Sequence, residues 1–208
     1  MKLVRTAIAD VVVIEPVVFS DDRGWFMESF NAARFAAALA DLGLPAPPDF
    51  VQDNHSCSRR CVLRGLHFQR EPRAQGKLVR VVRGAAFDVA VDIRPGSPTF
   101  GRWVGEDLSA ANQRQMWIPP GFAHGFLALE DDTHFLYKTT GYYHPASEAS
   151  ILWSDPQIGI AWPGERSRFV LNEKDARAPL LAALRDATRR VDRQGTDPST
   201  RIPSSPTT

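Results

Sequence analysis

The 208-residue sequence has little cysteine, which narrows the class of protein. Its two cysteines, Cys57 and Cys61, are four positions apart. Because the sequence shows no secretion signal, we do not expect a disulfide between them. A zinc site would need two further ligands, and His55 alone, at a spacing that matches no zinc pattern, does not supply them. We therefore expect both cysteines to be free thiols.

Long apolar runs and an excess of charge of either sign are also missing. Residues 1–6 lack the apolar stretch of a secretory signal, and residues 11–18 are interrupted by Glu15 and Pro16. These features predict a cytoplasmic protein without a membrane span. The formal net charge of +1 gives no electrostatic reason to expect nucleic acid or a membrane surface as a partner.

What the chain does contain is a series of short β-branched and aromatic segments separated by Gly, Pro and Asp turns. In residues 85–93, large apolar residues alternate with Ala86, Asp88, Ala90 and Asp92, as in a strand with two different faces. Many such segments at regular spacing predict a mainly β fold. We expect an antiparallel barrel or double-sheet jelly roll with a few short peripheral helices.

Helices and a tail complete the predicted architecture. Asn31 can cap a helix over residues 32–42, and a weaker helix is predicted over residues 180–190. From residue 191 onward the chain is mainly Pro, Ser, Thr and Arg, so it cannot bury enough apolar surface to offset the entropy of ordering. We predict one domain over residues 1–190 and a disordered tail over residues 191–208.

The segment Leu-Arg-Gly-Leu-His-Phe-Gln, residues 63–69, is the best candidate for a cavity wall. Strand alternation places Gly65, His67 and Gln69 on one face, opposite Arg64 and two apolar residues. The first face has almost no apolar area, which favours a cavity over a core. The alternative interpretation is a core histidine with a satisfied hydrogen bond, and this segment alone does not decide between them.

A second histidine, His124, follows a Pro-Pro-Gly-Phe-Ala sequence that resembles the second motif of the cupin superfamily. This resemblance implies a double-sheet barrel that holds ligands in its interior. Metal-binding cupins use a His-x-His pair and a Glu in their first motif, whereas this chain offers only His67 there. Two histidines would leave a divalent metal under-coordinated, so we expect no metal and no metal-dependent oxygenase activity.

The chain more closely resembles the dTDP-4-dehydrorhamnose 3,5-epimerase family. The resemblance extends over roughly residues 4–178. Any one motif would be a weak signal, but a collinear series with family-like spacing is a strong one. The matching segments are residues 22–28, 52–56, 63–69, 76–80, 119–126, 135–143, 155–163 and 172–175.

The resemblance implies inversion of C3 and C5 in a 4-keto-6-deoxyhexose linked to dTDP, without a cofactor. Both carbons flank the ketone, so the loss of either proton gives an enolate. The reaction therefore needs a base on one face of the sugar, an acid on the opposite face, and a cation or donor at the ketone oxygen.

The resemblance assigns four catalytic residues. His67 would be the base, since an imidazole with an ordinary pKa of about 6.5 is readily kept neutral near pH 7, and Asp175 would orient it. Tyr137 would be the acid, because a phenol with a pKa of about 10 stays protonated. Lys77 would stabilise the enolate oxygen. Without the motifs, Tyr137 would be interpreted as a core tyrosine and Lys77 as a surface lysine.

The remaining residues implied by the family bind the substrate. Arg23 and Arg64 would contact the diphosphate, because a guanidinium matches phosphate oxygens, and Tyr143 would stack on the thymine. The family also implies a homodimer in which a swapped N-terminal strand lends Arg23, Phe26 and Glu28 to the neighbouring subunit. The other substrate-binding residues are Gln52, Asn54, His124 and Glu148.

Three alternatives stay open. They are an epimerase of only C3 or only C5, a non-catalytic cupin that binds a sugar nucleotide, and a metal-dependent oxygenase. The presence of both His67 and Tyr137 favours the double epimerase. One departure from the family pattern is His134, which stands where an acidic residue is usual.

Overall fold

Two antiparallel sheets face each other in the computed structural model, which describes residues 1–184. The strands are β1 (Lys2–Arg5), β2 (Val12–Glu15), β3 (Val18–Asp21), β4 (Gly24–Met27), β5 (Gln52–Ser58), β6 (Leu63–Gln69), β7 (Lys77–Arg83), β8 (Ala85–Asp92), β9 (Trp103–Ser109), β10 (Gln115–Ile118), β11 (Phe122–Ala128), β12 (Thr133–Thr139) and β13 (Glu148–Ser150). The six-stranded sheet has the order β1-β2-β10-β7-β12-β5, and the five-stranded sheet has the order β13-β6-β11-β8-β9. The predicted mainly β, double-sheet fold is confirmed.

The helices are short and peripheral. Helix α1 spans Ala32–Asp41 and begins as predicted, with Asn31 Oδ1 accepting a hydrogen bond from the backbone N–H of Arg34 at 3.1 Å. Helix α2 spans Glu173–Ala176. Residues 181–184 are helical, whereas the rest of the helix predicted over 180–190 and the tail predicted over 191–208 lie outside the described residues. The single-domain boundary at residue 190 therefore stays a prediction.

Apolar side chains fill much of the space between the two sheets. Val79, Met116, Phe126 and Phe135 are each at most 4% exposed and belong to one buried cluster. Phe126 and Phe135 stack with ring centroids 4.0 Å apart, which joins β11 of one sheet to β12 of the other. On one side of these rings, the space between the two sheets is therefore filled by a packed apolar core.

The outer face of each sheet is covered by a different part of the chain. Helix α1 packs Phe35 and Leu39 against the six-stranded sheet. The segment after β13 covers the five-stranded sheet with apolar residues that include Ile151 and Trp162. The same C-terminal segment contains α2, whose Asp175 reaches β6 through hydrogen bonds.

Strand β6 does not alternate regularly. Its pairing with β11 matches His67 to His124 and Arg64 to Phe126, so the register shifts between the two pairs, as in a β-bulge. Gly65 lies at this point with φ of +123°, and a Cβ there would stand 2.6 Å from the Cα of Gly125. The predicted placement of Arg64 on the face opposite His67 is therefore wrong, because the bulge turns both side chains to the same side.

Cys57 and Cys61 are free, which agrees with the expectation from the sequence. None of the helices within residues 1–184 has the length and apolarity needed to cross a membrane. The cytoplasmic location stays a prediction.

Removing the ring that links the two sheets should destabilise the fold. We expect Phe135→Ala to lower the free energy of unfolding by about 3–5 kcal/mol, because it leaves a cavity where a fully buried ring stacked. Leu180→Ala is the control, since this side chain is 44% exposed. Urea unfolding followed by tryptophan fluorescence would measure both variants, and equal losses would contradict the assigned core.

Candidate active site

A cavity of about 320 Å³ opens between the two sheets next to the stacked phenylalanines. The six-stranded sheet contributes the side chains of Gln52, Asn54, Ser56, Lys77, Tyr137 and Thr139. The five-stranded sheet contributes those of Arg64, His67, Gln69, His124, Phe126 and Glu148. Most of the residues predicted for the site therefore meet here, and the two sheets form opposite walls.

His67 and Asp175 form a hydrogen-bonded pair in the five-stranded wall. The distance from His67 Nε2 to Asp175 Oδ1 is 2.6 Å, and the other carboxylate oxygen accepts the backbone N–H of Gly65 at 3.2 Å. The carboxylate is 1% exposed, whereas His67 is 32% exposed towards the cavity. Burial acts to raise the pKa of Asp175, but the hydrogen bond and charge of His67, the backbone N–H of Gly65 and the charge of Lys174 together lower the pKa overall. Asp175 is thus held as an anion behind the imidazole ring.

Tyr137 stands in the opposite wall, on β12. Burial raises the pKa of its phenol, Arg64 opposes the shift, and Glu148 adds to it. The hydroxyl therefore stays protonated at neutral pH and can donate a proton. Neither the imidazole nor the phenol is a core side chain, since both line the cavity.

Lys77 lines the same cavity and is buried rather than being a surface lysine. Its Nζ donates to the backbone oxygen of His67 at 3.4 Å and lies 6.0 Å from the ring centre of Tyr137. Burial lowers the pKa of Lys77 to about 8, although the charges of Asp88 and Glu148 oppose this effect. The ammonium form therefore still predominates at pH 7 and places a cation in the cavity.

Polar side chains form the other end of the cavity. Gln52 Nε2 donates to Asn54 Oδ1 at 3.0 Å, and Gln52 Oε1 accepts the backbone N–H of Tyr143 at 3.0 Å. The Tyr143 hydroxyl donates to Glu148 at 2.9 Å, and Lys174 pairs with the same carboxylate at 2.7 Å. Tyr143 is 54% exposed, so its ring is available as a stacking surface at the cavity mouth.

Gln69 holds the segment that bears Tyr143 in place. Its Nε2 donates to the backbone oxygens of Arg73 at 2.7 Å and Tyr142 at 3.3 Å, and its Oε1 accepts the backbone N–H of His144 at 2.7 Å. The sequence singled out Gln69 as part of a polar strand face but gave no sign of these partners, which belong to two loops.

Two further charged residues at the site were missed by the sequence analysis. Asp88 is fully buried and accepts a hydrogen bond from His124 Nε2 at 2.7 Å. Lys174, next to Asp175, pairs with Glu148. The alternation over residues 85–93 could have indicated Asp88 as a site residue. It places Asp88 on one strand face between Ala86 and Ala90, whose small side chains leave room in the interior.

Three predicted substrate-binding residues do not line the cavity. Arg23 and Phe26 lie in the separate β3–β4 hairpin, where Arg23 pairs with Asp21 at 2.6 Å and Phe26 is 69% exposed. Glu28 pairs with Arg34 at 3.2 Å at the start of α1. Within one chain, the expected contacts of these residues with the nucleotide are therefore not formed.

The chemistry that this cavity supports is proton transfer on two faces of one ligand. A histidine with a buried carboxylate stands in one wall, a protonated phenol stands in the other, and the ammonium of Lys77 lines the same cavity. Within residues 1–184, no three His, Cys, Asp or Glu side chains are grouped so that they could hold a metal ion. The expectation of a site without metal or cofactor stays a prediction.

Comparisons with known proteins agree with this chemistry. The sequence pattern of the dTDP-4-dehydrorhamnose 3,5-epimerase family matches residues 5–183. The chain is 57% identical over 181 residues to the enzyme of that name from Salmonella typhimurium, which covers 87% of this chain and 96% of that protein. It is 40% identical over 187 residues to the dTDP-4-dehydrorhamnose 3-epimerase of Streptomyces niveus, which covers 90% of this chain and 87% of that protein.

The fold is shared with a solved structure as well. The structure is similar to the crystal structure of dTDP-6-deoxy-D-glucose-3,5-epimerase from Legionella pneumophila in complex with dTDP-4-keto-L-rhamnose, with a TM-score of 0.80 and 52% sequence identity. The match covers 87% of this chain and 93% of that chain. The two-sheet architecture is therefore one that holds a nucleotide-linked keto sugar in a relative.

The buried position of Lys77 makes a direct prediction about its titration. Because burial dominates over the two nearby carboxylates, we expect this lysine to lose its proton with a pKa of about 8. Carbon NMR of protein labelled at lysine Cε would follow the titration, and Lys77→Arg would identify the signal by removing it. A Lys77 signal that titrates like an exposed lysine would show that the ammonium is not buried in solution.

Proposed function

The chain belongs to the dTDP-4-dehydrorhamnose 3,5-epimerase family, and we propose that its cavity performs that epimerisation with His67 as base and Tyr137 as acid. The enzyme is an isomerase that acts on a 4-keto-6-deoxyhexose linked to dTDP. The observation that supports these two roles most directly is that His67 and Tyr137 line one cavity from opposite walls, with the buried Lys77 on the same wall as Tyr137.

The proposed steps follow from the acidity of the carbons beside the ketone. His67 removes the proton from C5 or C3, and Asp175 stabilises the imidazolium that forms. The electron pair of the broken C–H bond moves to the C4 oxygen, where the ammonium of Lys77 stabilises the enolate. Tyr137 then gives a proton to the opposite face of the same carbon, and this inverts it.

The nucleotide would lie at the polar end of the cavity. Arg64 would contact the diphosphate, since its guanidinium lines the cavity beside His67 and its Nε is held by Ser58 Oγ at 3.1 Å. Tyr143 would stack on the thymine at the mouth, with Gln52 fixing its backbone. His124, Asn54 and Glu148 complete the proposed contacts.

Deuterium incorporation would test the proposed base and acid separately. In deuterated water with dTDP-4-keto-6-deoxyglucose, we expect the wild type to place deuterium at both C3 and C5. His67→Ala should lower both rates by about 10²–10⁴-fold, because it removes the base. Tyr137→Phe should still exchange protons through His67 but should lose inversion, because only the acid on the other face is missing. Proton NMR of the sugar reports both quantities.

Two outcomes of this experiment would change the assignment. Deuterium at only one carbon would make the protein a single-site epimerase, like the Streptomyces niveus relative by its name. Binding of the sugar nucleotide without any exchange by the wild type would leave a non-catalytic sugar-nucleotide-binding protein.

We also propose that two copies form a homodimer in which the β3–β4 hairpin completes the partner's cavity. The hairpin is a sheet of its own, and it exposes Phe19, Trp25 and Phe26 at 63%, 58% and 69%. An apolar surface of this kind on a two-stranded hairpin is typical of an interaction site. Arg23 and Phe26 could then reach a nucleotide that they do not reach within their own chain.

Subunit complementation would test this arrangement. His67→Ala and the double variant Arg23→Ala/Phe26→Ala should each be nearly inactive as homodimers. When the two are co-expressed, a heterodimer would contain one site with both an intact body and an intact hairpin, so we expect about a quarter of wild-type activity. Contacts made within one chain would instead leave the mixture as inactive as its components.

A further inference from the structure

Asp88 is a buried carboxylate that the steps above do not use. It lies on β8, facing the interior between Ala86 and Ala90, and it is 0% exposed. One oxygen accepts the hydrogen bond from His124 Nε2 at 2.7 Å. The other, Oδ2, is buried and has no hydrogen-bond partner among the described residues. Burying a carboxylate with one unpaired oxygen costs folding free energy, so neighbouring groups must compensate for its charge.

The hydrogen bond to Asp88 determines which nitrogen of His124 faces a ligand. Burial lowers the pKa of His124, Asp88 opposes this, and the charges of Lys77 and His67 lower it further, so the ring is neutral at pH 7. In a neutral imidazole only one nitrogen bears hydrogen, and the carboxylate selects Nε2. Nδ1 is then an acceptor, and the only side-chain hydrogen bond that the ring makes within residues 1–184 is the one from Nε2.

Asp88 also acts on the cation of the cavity. The charged groups that affect Lys77 are Asp88 and Glu148, and Asp88 is the stronger of the two. Glu148 is already paired with Lys174 and Tyr143 at the cavity mouth. Lys77 Nζ donates to the backbone oxygen of His67, and His67 pairs across strands with His124, which binds Asp88. This series of contacts brings the Asp88 carboxylate into the same part of the interior as the ammonium, where its charge opposes the effect of burial.

We propose that Asp88 is a positioning residue that fixes His124 as a hydrogen-bond acceptor and keeps Lys77 charged inside the cavity. This inference rests on the proposed function, since it assigns one group of the bound sugar to His124 and another to Lys77. A lone pair on His124 Nδ1 repels a ketone oxygen but accepts a hydroxyl proton, so His124 binds a hydroxyl group of the sugar. The ketone oxygen is left to Lys77.

The chain offers a matched control for a variant at Asp88. Asp92 lies on the same strand, is also 0% exposed, and pairs with Arg94 at 2.6 Å and with Ser97 and Thr99. Neither aspartate lines the cavity, but Asp88 binds His124, which does. Asp88→Asn and Asp92→Asn each replace one buried carboxylate on β8 by an amide, but only the first change removes a charge that acts on Lys77.

Titrations without substrate would test the inference apart from catalysis. In Asp88→Asn, the NMR titration of Lys77 should move to lower pH by about one unit, because a nearby opposite charge is lost, whereas Asp92→Asn should leave it in place. Nitrogen NMR of wild-type His124 should show the hydrogen on Nε2. A wild-type ring protonated on Nδ1, or a Lys77 titration unchanged in Asp88→Asn, would overturn the inference.

Kinetics would then connect the same charge to the reaction. The fall of kcat at alkaline pH, where Lys77 loses its proton, should shift by the same amount in Asp88→Asn and should not shift in Asp92→Asn. If the wild type lacks epimerase activity, the proposed function fails, but the two NMR results still decide whether Asp88 sets the states of His124 and Lys77. Should Asp88→Asn not fold, the wild-type tautomer alone decides the assignment of His124.

Discussion

The close approach of two backbones at Gly65 and Gly125 is the constraint on which the candidate active site depends. A side chain at either position would collide with the other strand, so β6 and β11 can meet only through these glycines. The resulting bulge brings Arg64 and His67 to one side of β6, although they are three residues apart. In a regular strand these two side chains would lie on opposite faces, so only one of them would line the cavity and the other would lie in the outer core.

The charges of the cavity are stabilised in pairs that link distant parts of the chain. Asp175 reaches His67 from the C-terminal segment, Asp88 holds His124 from the neighbouring strand, and Glu148 is paired with Lys174. An isolated ion in such a place would be costly, whereas a carboxylate beside a hydrogen-bonded donor is tolerated. The result is a cavity with several fixed dipoles and charges, which do not need to rearrange when charge develops on a ligand.

Much of the fold and part of the site followed from the sequence. Alternation over residues 85–93 and the Asn31 cap were read correctly because they depend on neighbours in the chain. Arg64 was misplaced because a bulge is created by the partner strand, which strand periodicity does not contain. Asp88 was not predicted as a site residue because its role depends on which face of the sheet borders the cavity, and the sequence does not show this. Arg23 and Phe26 were grouped with the site through family resemblance, and one chain alone does not bring them there.

The position of Asp175 late in the sequence has a consequence for the order in which the protein matures on the ribosome. The thirteen strands within residues 1–184 all precede α2 in the chain, so the cavity wall with His67 is synthesised before Asp175. The segment that covers the five-stranded sheet also carries Asp175, so the same part of the chain completes the outer core and the hydrogen bond to His67. A chain that ends before α2 would therefore lack both part of the cover of this sheet and the hydrogen-bond partner of His67.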